Sequence, residues 1–347
     1  MIKTILLLFV LSINFILNAQ IPKVGRANKS EVGTCYEKSV QRRKNLKYAE
    51  WECGKRAGII DCNEKLSYDE DHNTFTAGID GTPFNGICET CHNNGMLERT
   101  VYFVNGKEDG QDTTTYESGC PMVIRNHITG IRNGVWTYFY DSTSQVAWEI
   151  NYFVGKQHGR AIFFRKNGDT TLWENYNDGL LHGQQRTYFP EDSKIQKISN
   201  YVNGNLNGKF LMFNEDGIIV QDLIYKMGVK DGNWKYYYDD GTLLRTENWV
   251  SNVKEGEFKT FFYEGHIQDQ CTYKKGRLEG WSEEYYFNKK LKHRTLYKKG
   301  VVLQEFKYDI HGKETYRFGV EEDEDGDAED DTVMDGRKKK KRKKSKK

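Results

Sequence analysis

The chain has 347 residues and nearly balanced charge, with 52 Lys and Arg against 50 Asp and Glu. Its 37% hydrophobic and 14% aromatic content is too rich for a disordered chain, and its 33 glycines lack the G-X-Y period of collagen. No apolar run after residue 19 approaches the roughly 20 residues of a membrane-spanning helix.

The first predicted element is an export signal over 1–19. Lys3 precedes an apolar stretch from Ile5 to Leu17, and small Ala19 ends it, the layout of a secretory signal cut between Ala19 and Gln20. The expected location is secreted, periplasmic or at the outer envelope. The seven cysteines, at 35, 53, 62, 88, 91, 120 and 271, would then mature where disulfides persist. Seven is odd, so at least one stays free, binds something or pairs between chains. Residues 20–78 are expected to form a cap module that covers the open first strand of the sheet predicted from residue 79 onward. A Cys53–Cys62 disulfide would close a short loop there. Cys88 and Cys91 are further candidates, either buried or bonded to Cys53, Cys62 or Cys120.

From residue 79 to 318 the sequence is periodic. A glycine recurs at Gly86, Gly110, Gly134, Gly159, Gly183, Gly208, Gly232, Gly256 and Gly280, at spacings of 24 or 25 residues. Four residues earlier a second glycine recurs from Gly106 to Gly300, broken only by Asn252. Aromatic columns run in the same register, such as Phe139, Tyr188 and Tyr237, then Tyr152, Tyr201 and Trp249. Turn signals such as Asn94-Gly95, Asn167-Gly168 and Asp240-Gly241 separate the apolar runs, so each unit reads as a β-hairpin. The paired glycines are expected to supply the positive-φ positions of the return turn. The fold class is all-β: an elongated array of about nine 24-residue hairpin repeats behind an irregular Cys-containing cap.

Segments such as Asp231-Gly-Asn-Trp-Lys-Tyr-Tyr-Tyr-Asp-Asp-Gly-Thr-Leu-Leu-Arg-Thr-Glu-Asn-Trp249 resemble the bacterial variant of MORN repeats, found in the family labelled YwqK-type antitoxins. The resemblance covers about two thirds of the chain. It implies a twisted antiparallel sheet of consecutive hairpins and carries over no catalytic motif.

After Phe318 the pattern stops, and 319–347 read as a disordered tail. Residues 321–335 hold ten acidic groups, and ten of the eleven residues 337–347 are Lys or Arg. The basic block Arg337–Lys347 could attach to an anionic surface. The acidic block has Thr332 where a calcium loop needs a bidentate Glu.

Cys88-Glu-Thr-Cys91-His92 matches the c-type haem attachment pattern. The repeat register reads it otherwise: Cys88 occupies the column of Trp136 and Trp234, Cys91 that of Phe139 and Tyr237, and His92 that of Tyr140 and Tyr238. His158 and His182 fall in a turn column and are too far apart to share a metal. No cofactor, metal site or enzymatic activity is expected. The expected function is an exported, non-catalytic protein-interaction scaffold. The alternatives are binding to envelope lipid or polysaccharide through the basic tail, and a c-type haem electron carrier using Cys88, Cys91 and His92. A nucleic-acid partner is not expected.

Overall fold

The computed structural model describes residues 53–54 and 57–319. These are nearly all β, with one four-residue helix among them. The expected signal 1–19, Cys35 and the charged tail lie outside the described residues. The chain divides into two units, 1–205 and 206–347.

In the first unit, the cap begins with the strand Ile59–Asp61, which pairs in parallel with Gly86–Cys91 and so occupies the edge of the first repeat strand. Asp61 then caps the helix Cys62–Lys65, its carboxylate accepting from the N–H groups of Asn63 and Glu64 at 2.8 and 3.2 Å. A small separate sheet follows, made of Leu66–Asp69, Thr74–Ala77 and Thr82–Pro83. It docks through Phe75 and Phe84, whose rings lie 5.2 and 5.8 Å from that of buried Phe103. Gly106 fixes this contact. Its carbonyl accepts from the Phe75 N–H at 2.7 Å, its own N–H reaches the Phe84 carbonyl at 2.8 Å, and a Cβ there would sit 2.5 Å from the Phe75 oxygen. No other residue fits.

The repeats then run as antiparallel hairpins. In the second unit, Gly232–Tyr237 pairs with Leu243–Val250, and Gly256–Phe261 with Ile267–Lys274. The two glycine columns do different work, which corrects the expectation that both serve one turn. The column from Gly106 to Gly300 closes two-residue turns in which both central residues have positive φ, as in Asn105-Gly106, Asp178-Gly179 and Met227-Gly228. This is the turn that matches strand twist. The column from Gly86 to Gly280 sits inside the returning strand. Val229–Lys230 and Gly232–Tyr237 pair with the same strand, Ile219–Lys226, but the register shifts by two residues at Asp231-Gly232. Gly232, at φ +94°, absorbs that bulge.

Neighbouring hairpins are tied by aromatic rings and by backbone. In the second unit Phe210, Tyr225, Trp234, Trp249, Phe258 and Tyr273 form a row with successive centroid distances of 5.9, 5.0, 6.2, 5.7 and 4.8 Å. Each such pair contributes about 0.5–1.5 kcal/mol beyond its burial. Lys230 sits 4.3 Å from the rings of both Trp234 and Trp249. The columns are therefore packed against one another, as core. Turn glycines stack on the preceding hairpin: Gly130 N–H donates to the Glu108 carbonyl at 2.6 Å, and Gly276 N–H to Lys254 at 2.9 Å.

Candidate functional site

Cysteine chemistry bears on the haem expectation. Cys62 is bonded to Cys88 and Cys53 to Cys91, with Cα separations of 5.1 and 5.9 Å. The Cys53–Cys62 loop closure is thus not formed. The parallel pairing of Ile60 with Cys88 brings Cys62 to the first repeat strand instead. Cys120 is also disulfide-bonded, and Cys271 is a free thiol. Burial, with the Asp269 charge second, pushes the Cys271 thiol above its ordinary value.

In this oxidised state neither Cys88 nor Cys91 has a thiol to add to a haem vinyl group. His92 is engaged as well, its Nε2 lying 2.9 Å from the Thr115 carbonyl. Tyr140 and Tyr238, in the same column, donate their hydroxyls to the carbonyls of Phe164 and Phe261. His92 therefore plays the part of a repeat tyrosine. His182 stands in its turn column beside Asn203, with 3.3 Å between Nδ1 and Oδ1, and His158 contacts the Phe153 ring. The glycines from Gly110 to Gly280 in the 24-residue series are backbone devices, with φ between +74° and +97°.

One repeat departs from the pattern at three positions at once. Opposite each repeat glycine across the hairpin stands an aromatic: Phe103 for Gly86, Tyr152 for Gly134, Trp249 for Gly232, Tyr273 for Gly256. Opposite Gly110 stands His127. Two residues after the glycine, where Trp136, Trp234 and Phe258 are buried, stands Asp112. Two residues before it, where Arg132, Lys230 and Lys254 lie over those rings, stands Glu108. A cation–aromatic triplet has become Glu, Asp and His.

The three converge on the packed face. His127 Nδ1 lies 3.4 Å from Asp112 Oδ2 and 3.5 Å from Glu108 Oε2, and Asp112 and His127 are 3% and 8% exposed. Asp112 Oδ1 accepts from Arg99 Nε at 3.0 Å and from Arg125 Nη2 at 2.6 Å, while Arg99 Nη2 reaches Glu108 at 2.8 Å. The Trp136 ring meets the His127 edge at 5.2 Å. Burial acts to raise the Asp112 pKa. The contacts with His127 and Arg99, and the charges of Arg99 and Arg125, outweigh it and hold the carboxyl far below the usual range. The sequence expectation named none of these residues. The visible signal was the gap at His127 in an otherwise aromatic column.

Two adjacent stretches, 230–250 and 254–275, match the model of the MORN repeat variant. No curated protein matches the chain. Among solved structures, the TcdB2–TccC3–Cdc42 crystal structure aligns over 70% of this chain and 16% of that one, at 12% identity and a TM-score of 0.15. The TcdB2–TccC3 crystal structure aligns over 70% and 18%, at 13% and 0.16, and the Photorhabdus luminescens Tc holotoxin pore over 71% and 17%, at 13% and 0.16. The chain spans less than a fifth of each of those chains, and scores this low carry no argument. MORN repeats are generally protein- or membrane-interaction repeats and typically non-catalytic. Likeness to the MORN repeat variant is thus shown at two adjacent repeats, 230–250 and 254–275.

Proposed function

We propose that the protein is an exported, non-catalytic scaffold that binds a protein partner along the turn edges of its repeats. The observation that supports this reading is a recurrence of exposed apolar residues in and beside the two-residue turns. In the first unit Ile128 and Ile131 face each other across one turn, Phe153 and Val154 enter the next, and Leu180 leaves a third. In the second unit Val250 and Val253 repeat the pairing, and Met227 is exposed in its turn. Scattered exposed apolar residues need no explanation, but a periodic set on one structural feature marks an interaction surface. The export reading rests on residues 1–19, and the disulfides fit an oxidising compartment.

A second reading, attachment to the envelope through Arg337–Lys347, rests on the ten basic residues of that block. One experiment separates the two. Partner capture and envelope association are measured for the native chain, for a triple variant Ile128→Ser, Phe153→Ser, Leu180→Ser, and for a chain lacking 337–347. The scaffold reading expects capture lost in the triple variant and kept in the deletion. Envelope association lost only in the deletion, with capture unchanged in the triple variant, would replace it with the tail reading.

A further inference from the structure

We propose that Glu108, Asp112 and His127 form a binding site for a divalent transition-metal ion of the zinc class. Their three ligand atoms lie within 4.8 Å of one another. The two separations from His127 Nδ1, 3.4 and 3.5 Å, exceed ordinary N–H···O hydrogen-bond lengths. They match instead the edge of a tetrahedron of about 3.3 Å that follows from Zn–N and Zn–O bonds of about 2.0–2.1 Å. One imidazole nitrogen and two carboxylate oxygens are a donor set that zinc and its neighbours accept, with a fourth position left for water.

Two further observations point the same way. Asp112 Oδ2, on a carboxylate only 3% exposed, has no hydrogen-bond partner, although Oδ1 of the same group is heavily bonded. A buried unpaired carboxylate oxygen is costly unless something occupies the space before it. The three ligands also occupy the three positions that in the repeats of Gly134 and Gly232 hold a cation over two rings, so a bound ion would put a positive charge at the equivalent place on the face.

Arg99 and Arg125 set the strength of the site. Both bond Asp112 Oδ1, which leaves Oδ2 free to ligate, but Arg99 also holds Glu108 Oε2. It competes with the ion for that oxygen, and its charge repels it. Removing the guanidinium therefore strengthens metal binding, on the order of tenfold by the Coulomb repulsion relieved. An ion-pair cluster with no metal role would respond to the same change only by losing stability.

The test is titration of the full chain, stripped with chelator, with zinc chloride alone, followed by calorimetry and by Trp fluorescence. The expected result is one ion bound per chain, lost in His127→Ala and in the closer His127→Asn, and tightened about tenfold in Arg99→Gln. Cobalt in place of zinc should quench fluorescence in the native chain and quench less in Trp136→Phe, a readout independent of whether the His127 variants fold. No zinc uptake by the native chain would overturn the proposal. So would unchanged uptake in both His127 variants, which would place the ion elsewhere, for instance on the acidic block 321–335.

Discussion

The Asp109 carboxylate accepts a hydrogen bond from the backbone N–H of Thr129, twenty residues further on, at 2.8 Å. The same brace recurs from Asn85 to Asn105 at 2.7 Å, Glu255 to Lys275 at 2.6 Å and Glu279 to Lys299 at 2.6 Å. It links the bulge of one repeat to the turn of the next, and explains why the residue before the repeat glycine is so often an acid or an asparagine. Asp109→Ala should cost about 1 kcal/mol, and Asp109→Asn, which keeps an acceptor, clearly less. Urea unfolding with faster amide exchange at Thr129 and Gly130 is the check.

Val154 is an exposed, β-branched residue held at φ +47° in a turn where other repeats place Asn203 or Asp178. That region costs an ordinary L-residue roughly 1–2 kcal/mol, and Asn tolerates it through its short polar side chain. Val154→Asn should therefore raise stability by about 1 kcal/mol, measured as a rise in melting temperature. It removes an apolar residue from the proposed interaction edge at the same time, so partner capture should weaken while stability improves.

The Cys62–Cys88 bond ties the helix of the cap to the core formed by Cys88, Val101 and Phe103. A Cys62→Ser, Cys88→Ser variant should lose about 3 kcal/mol. Peptide mapping without reduction should recover Cys53 linked to Cys91 and Cys62 linked to Cys88. Cys271 should take alkylating reagent in the unreduced protein, slowly, because its half-buried thiol resists ionisation.

Acid should loosen the first unit through Asp112. Its folded carboxyl titrates well below the value of about 3.9 of an unfolded chain. The unfolded state thus takes up a proton that the folded state refuses. The stabilisation is complete above about pH 4 and is lost as pH falls toward and through the folded value. Asp112→Asn should cost about 3–5 kcal/mol near neutral pH, by leaving Arg99 and Arg125 without their buried partner. It should also flatten the fall in stability below pH 4.

The hairpin period, both glycine columns and the aromatic columns were legible in the sequence, because each repeat solves the same steric problem with the same residue types. The different duties of Gly228 and Gly232 were not, since a turn and a bulge both ask for positive φ and differ only in register. Disulfide pairing was hidden for another reason. Cys53 and Cys62 are close in sequence, but the strand Ile59–Asp61 crosses to pair in parallel with Gly86–Cys91, a contact no local pattern announces. The Glu108, Asp112 and His127 cluster was half visible: the columns show the substitutions, and only the hairpin register shows that they meet.

The most direct measurement is the intact mass of protein exported with its own leader, before and after reduction. The expected mass is that of Gln20–Lys347 less the protons lost to disulfides, regained on reduction, with no haem absorbance. A chain retaining residues 1–19, or one carrying the added mass of a covalent haem, would contradict an exported scaffold whose Cys88 and Cys91 are structural.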